Sequence, residues 1–232
     1  EKPVLIYLFT KKTLPANISE NSNSGGLAMF YRRKEGDEAR ATVVLTPSES
    51  KRLIAKAVKE LPEVKEAMKG GRIIIIGGTT NAFVAEELTG KQIDKFWFAA
   101  GRIAFGKLGA NDPEKRLKPI VIINGNIVDI KPDEALQDFT AKDVYIKGAN
   151  AVDPFGNAGI LMSNEKGGTI GSTLGILQAR GSHIIVPVGL EKLIPSVIDA
   201  STKCGKGRID FSTGDTVGLM PLVSAKVITE IQ

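Results

Sequence analysis

Cysteine and histidine are almost missing: there is one of each, Cys204 and His183, in 232 residues. A single thiol excludes an internal disulfide and any metal site built on cysteines. A single imidazole would leave a zinc ion only carboxylates to complete its ligands, so no metal site is expected. Long apolar runs are also missing. None approaches the roughly 20 residues that span a bilayer. The run VLIYLF near the start is too short for a signal-peptide core, and Lys11 and Lys12 follow it without a small-residue cleavage site. The expectation is a cytoplasmic protein with no membrane partner. Blocks of one charge are absent: 31 Lys and Arg are scattered among 26 Asp and Glu, for a formal charge of +5. Without a basic stripe or a reading module, nucleic acid is not an expected partner.

What is present is ordinary globular composition, 42% hydrophobic and 25% charged. A chain this long removes roughly 70% of its unfolded surface from water. Residues 1–45 hold three strand-like runs, VLIYLF, LAMFYRR and ATVVL, around the polar loop PANISENSNSGG and the turn-like KEGDEA. They read as a small β element or lid. The pattern changes at Thr46, which with Glu49 has capping-box spacing, and Pro47 suits a first helical position. Leu53, Ile54, Ala57, Val58 and Leu61 then share a helical face until Pro62 breaks it. RIIII at 72–76 is an all-apolar β-branched run, as expected of a central parallel strand covered on both faces. AFVAEEL reads as a helix ending near Gly90, and FWFAA as a strand. PIVIINGNIVDI reads as a hairpin turning at Asn124-Gly125. DVYIKGANAVDP is a strand entering a loop, STLGILQAR a helix and HIIVPV a strand. EKLIPSVIDAS reads as a helix interrupted by Pro195, and VSAKVITEI as a closing helix. Strands alternating with helices predict a layered α/β unit over residues 46–232 with a mostly parallel sheet.

Two loops carry the chemistry. In the first, the strand RIIII runs directly into Gly77, Gly78, Thr79, Thr80 and Asn81 and then a helix. Glycines let backbone amides approach a ligand, and a helix N-terminus adds unpaired amides and partial positive charge. The motif has neither the spacing and lysine of a P-loop nor the GxGxxG pattern. A plain strand-to-helix turn capped by Thr80 or Asn81 is the other reading. In the second, a strand ends at Lys147, Gly148 and Asn150, and the stretch Glu165, Lys166, Gly167, Gly168, Thr169 heads the next helix. Two such loops at the carboxyl ends of parallel strands would converge where open α/β sheets take ligands. The alternative is two glycine turns with solvated lysines.

The stretch SKRLIAKAVKELPEVKEAMKGGRIIIIGGTTNAFVAEEL resembles the opening of the effector domains of sugar-phosphate-responsive repressors. KGANAVDP and EKGGTIGS resemble two loops of ribose-5-phosphate isomerase. These belong to one superfamily with glucosamine-6-phosphate deaminase and the coenzyme A transferases. The resemblance covers roughly residues 46–190 and implies a Rossmann-like layered sheet with helices on both faces. It implies a small phosphorylated or coenzyme A-linked anionic metabolite as partner, with no further cofactor. The departures are chemical. Asn150 stands where the isomerase loop carries a catalytic aspartate, and an amide cannot move a proton between carbons near neutral pH. Lys147 replaces a second aspartate and turns an acidic pocket cationic. A standard ribose-5-phosphate isomerase is therefore not expected. Asp153, Glu165 and Asp143 could supply a carboxylate; Glu165 also matches by residue type the glutamate nucleophile of the transferases. Isomerase- or transferase-like enzyme and non-catalytic metabolite sensor both stay open, as does homo-oligomerisation.

Other residues have plainer readings. His183 reads as a structural histidine at a strand start, and Cys204 in KCGKGR as a free loop thiol. Trp97 with Phe96 and Phe98 reads as core, and Arg32-Arg33-Lys34 as an exposed strand end or a ligand-facing lid.

Overall fold

The structure, a computed structural model, describes residues 5–11 and 39–232. Two compact units divide the chain, Glu1–Thr46 and Pro47–Gln232. In the first, the runs VLIYLF and ATVVL supply an antiparallel pair, β1 (Leu5–Lys11) and β2 (Ala39–Leu45), with Leu5 opposite Leu45 and Lys11 opposite Ala39. The run LAMFYRR, with Arg32-Arg33-Lys34, and the polar loop lie outside the described residues.

Proline punctuates the start of the second unit. Pro47 opens α1 (Pro47–Glu60), and Pro62 ends that helix by opening another, α2 (Pro62–Gly70), instead of a turn. A missing N–H costs nothing in the first turn of a helix, so one residue can do both. There follow β3 (Arg72–Ile75), α3 (Thr79–Thr89), β4 (Gly101–Ala104), β5 (Lys107–Ala110), β6 (Ile120–Ile123), β7 (Asn126–Val128), α4 (Pro132–Gln137) and β8 (Val144–Ile146). After these come β9 (Ala151–Val152), β10 (Ala158–Met162), α5 (Gly168–Arg180), β11 (His183–Pro187), a 3-10 turn (Leu190–Lys192), α6 (Val197–Lys203), β12 (Gly218–Leu222) and β13 (Lys226–Ile228).

The main sheet has six strands in the order β13-β11-β8-β3-β6-β7. It is mixed. The pairings β13–β11, β11–β8 and β8–β3 are parallel, whereas β3–β6 and β6–β7 are antiparallel. The antiparallel side comes from the Asn124-Gly125 hairpin, whose two turn residues both have positive φ, 49° and 76°, as a primed two-residue turn requires. β3 is thus central, with a parallel neighbour on one side and an antiparallel one on the other. Its residues alternate between two cores. Ile73 and Ile75 join Val144, Ile146 and Ile185 with α1, α2 and α3, while Ile74 and Ile76 join Tyr145, Ile184 and Val186 with α4 and α5. Burial on both faces is why RIIII shows no polar alternation. Outside this sheet, β12-β10-β9 form a three-stranded antiparallel sheet, and β4–β5 a hairpin turning at Phe105-Gly106.

Three expected elements differ. FWFAA is a turn, because the Asp94 carboxylate accepts the Phe96 and Trp97 amides at 2.9 and 3.0 Å and holds the backbone in an Asx turn. Only Phe98 of that trio is core; Phe96 is exposed and Trp97 half-buried. The stretch EKLIPSVIDAS is not one interrupted helix but a 3-10 turn, a break at Pro195, and α6 capped by Ser196. VSAKVITEI closes the chain as a strand, not a helix. Val227 and Ile228 pack into opposite cores, which is a period of two.

Candidate functional site: a cationic cleft at the ends of the parallel strands

β3 and β8 are adjacent, parallel and in register, with Ile75 opposite Ile146, so they end at one level. The next long helix after each packs on a different face. α3 contributes Ala82, Val84 and Ala85 to the core of Ile73 and Ile75, and α5 contributes Ile170 and Leu177 to the core of Ile74 and Tyr145. Diverging helices leave a crevice between the strand ends, where open α/β sheets take ligands. A cleft of about 580 Å³ occupies this position, inside the roughly 300–1,000 Å³ typical of metabolite sites.

The structure brings most of the sequence-derived candidates together here. Gly77, Gly78, Thr79 and Thr80 line the cleft from the end of β3. Lys147, Gly148 and Asn150 line it from the end of β8, and Gly167, Gly168 and Thr169 from the head of α5. Neither helix start has a side-chain cap: the capping positions are Gly78 for α3 and Gly167 for α5. Thr80 and Asn81 therefore lie inside the first turn of α3 and do not cap it. Both first turns keep amide donors and partial positive charge available to a ligand. Gly167 has φ 83°, a left-handed conformation that favours glycine.

Two candidates do not line the cleft. Asn81 is fully buried beneath it. Its Nδ2 donates to the Ile76 and Ile146 carbonyls at 2.6 and 3.3 Å, tying the ends of β3 and β8 together, and its Oδ1 has no hydrogen-bond partner among the described residues. Lys166 is exposed. Asn164 organises its turn, with Oδ1 accepting the Lys166 amide at 2.8 Å and the backbone carbonyl accepting the Gly167 amide at 2.9 Å.

Lys147 is half-buried and makes no hydrogen bond or ion pair through its ammonium among the described residues. Desolvation pushes that ammonium down to about 8 because burial disfavours the charged form. Three cations unforeseen from the sequence join it, Lys192, Arg102 and Arg116. The Lys192 Nζ donates to the Ala149 carbonyl at 2.7 Å, and burial lowers this lysine too. Arg116 donates Nε and one terminal nitrogen to the Asn111 carbonyl. Against these four, the described residues set one lining carboxylate, the exposed Asp215, whose Oδ2 accepts from the Ser163 hydroxyl at 3.0 Å. Little in the chain signals this set, since its cations lie in separate stretches and only folding collects them.

The carboxylate candidates lie elsewhere. The Asp153 carboxylate is saturated, accepting from the Phe155, Asn157 and Val197 amides and from Asn157 Nδ2, all at 2.9–3.1 Å. Burial alone would raise its pKa, but these donors hold it below the ordinary aspartate value. It fixes the β9–β10 turn to the start of α6. Glu165 is exposed, 3.8 Å from Lys206. Asp143 lies at the opposite end of β8, accepting the Arg72 and Thr140 amides at 2.6 Å each. Asn150 uses Oδ1 to accept the Leu161 amide at 3.0 Å and so anchors its own loop to β10. His183 is exposed at the start of β11, away from the cleft. Cys204 is a free, half-buried thiol packed near Leu161 and Ile194. Its neighbours Lys203 and Lys206 engage Asp199 and the Ser163 carbonyl.

Among the described residues, no three His, Cys, Asp or Glu side chains gather as a metal site, and no helix is long and apolar enough to cross a membrane. No family model, curated protein or solved structure matches the chain.

Proposed function

We propose that the cleft binds a small phosphorylated metabolite, the phosphate held between the two uncapped helix starts with Lys147 as its counter-cation. The observation that carries this reading is Lys147 itself: a half-buried ammonium with no acidic partner among the described residues, at the meeting point of two glycine loops. An uncompensated buried charge is costly unless something pairs with it. Thr79, Thr80 and Thr169 add hydroxyl donors suited to phosphate oxygens. Kinship with the sugar-phosphate isomerase and effector-domain superfamily, a Rossmann-like layering and a cytoplasmic setting belong to the same proposal. The lining favours binding over isomerisation. Its one carboxylate is exposed and engaged, and Asn150 supplies no base. A metabolite sensor, or a binding subunit, fits this set better than a carbon-acid enzyme.

The test is calorimetric titration of inorganic phosphate and ribose 5-phosphate into the full chain, with Lys147→Met alongside. Charge-assisted contacts of this kind contribute about 1.5–3 kcal/mol, so Lys147→Met should bind roughly ten- to a hundredfold more weakly. Binding favours the charged ammonium, so parent affinity should fall as pH rises above about 8. Absence of binding at millimolar ligand, or a Lys147→Met protein that binds as tightly as the parent, refutes the proposal.

A further inference from the structure

The phosphate reading leaves the far wall of the cleft unused, and that wall is also cationic. Arg102 on β4 lines the cleft, yet its guanidinium makes no hydrogen bond and no ion pair among the described residues; its Nε is buried without an acceptor. The Phe96 and Phe105 rings lie 5.2 and 5.9 Å from the guanidinium carbon. Aromatic faces hold a guanidinium without neutralising it. The hairpin that carries Arg102 is fixed both near its turn and at its base. Leu108 donates to the Thr213 carbonyl and accepts from the Asp215 amide, both at 3.0 Å. Asn111, buried, donates through Nδ2 to the Phe96 and Ala99 carbonyls at 2.6 and 2.8 Å. The Asn111 carbonyl in turn accepts two donors from Arg116, which also lines the cleft and has no carboxylate partner among the described residues.

Building on the phosphate reading, we infer that Arg102 and Arg116 form a second anion subsite, so that the ligand is a two-headed anion: a phosphate at one end and a second phosphate or a carboxylate at the other. A planar fork of donors fits either oxyanion in a paired manner, which a lysine cannot do. The cleft volume leaves room for a carbon chain between the two ends. Thr79 and Thr169 serve the first subsite. The hairpin supplies the second.

The experiment compares three probes on the full chain by calorimetry: ribose 5-phosphate, with one anionic end, and fructose 1,6-bisphosphate and 3-phosphoglycerate, with two. Both two-headed probes, or one of them, should bind at least about tenfold more tightly than ribose 5-phosphate. The tighter of the two identifies the second group as phosphate or carboxylate. Arg102→Gln should weaken the preferred probe by about tenfold or more and ribose 5-phosphate by less than about threefold, collapsing the preference. Arg102→Lys, which keeps the charge without the fork, should recover part of it. Melting of each unliganded variant checks that it folds. Equal affinity for all three probes overturns the second subsite, as does an Arg102→Gln protein weakened equally toward all of them. If ribose 5-phosphate binding depends on Lys147 and no two-headed preference exists, only this inference falls. If no probe binds, the phosphate reading falls with it.

Discussion

A Cβ placed on Gly77 would lie 2.4 Å from the Phe98 carbonyl oxygen. The loop leaving β3 therefore packs backbone against backbone with the segment that leads into the β4–β5 hairpin. The need for glycine here comes from the protein's own chain and not from a ligand. Gly78 differs: its φ is 169°, extended, and an added Cβ would meet nothing closer than 3.8 Å. Gly77→Ala should therefore destabilise the protein by about 1–3 kcal/mol, as overpacking does, and disturb the wall that carries Arg102. Gly78→Ala should leave stability nearly unchanged. Urea denaturation midpoints of the two variants check this, and a Gly77→Ala midpoint equal to the parent's would show that the segments can separate freely.

At the scale of elements, capping decides where helices begin, and the starts of α3 and α6 make the contrast. Ser196 accepts the Asp199 amide at 3.0 Å and closes the start of α6, whereas Gly78 closes nothing. Ser196→Ala should cost about 1 kcal/mol and leave phosphate affinity intact, since α6 does not line the cleft. Thermal melting and titration of that variant test both halves; a loss of affinity would mean that α6 couples to the site. The same elements explain what could be read from the chain. The Asn124-Gly125 turn, the buried strand RIIII and the glycine stop at Gly90 depend on local chemistry and were legible. The fate of VSAKVITEI depends on a partner far away, since β11 offers it a free parallel edge. That of FWFAA turns on Asp94 just before it, whose carboxylate captures two amides against the strand-like pull of the aromatic run. Half of the cleft was legible for a similar reason. Glycine loops announce themselves by composition, but Arg102, Arg116 and Lys192 sit in stretches whose composition marks nothing, and Lys166, in the turn that Asn164 organises, is exposed and does not line the cleft.

For the molecule as a whole, the buried charges set a pH profile whose direction can be worked out. Burial alone would raise Glu86, but the Ile93 amide, Lys95 and Arg52 hold it down to about 2, from 4.5. Asp153 is held down as well. A depressed carboxylate contributes stability above its unfolded pKa and loses it as pH falls through the folded value, so melting temperature should drop between about pH 4.5 and 2. The lysines act in the other direction. Desolvation lowers Lys147 from 10.5 to about 8 and also lowers Lys192. Between those values the unfolded chain binds more protons than the folded one, so stability rises with pH. Tyr145 then sets the upper limit. Burial raises its phenol from 10.0 to about 12, so above pH 10 the unfolded chain loses its proton first and stability falls again. Melting temperature in the absence of ligand should accordingly climb above about pH 8 and peak near pH 10. Lys147→Met removes the ammonium that burial disfavours, and should raise the melting temperature near pH 7 while flattening the climb above pH 8. The same substitution should weaken phosphate binding about ten- to a hundredfold. A parent protein most stable at or below pH 7, or a Lys147→Met variant that melts lower than the parent there, would show that the Lys147 ammonium is not the uncompensated charge on which the cleft is built.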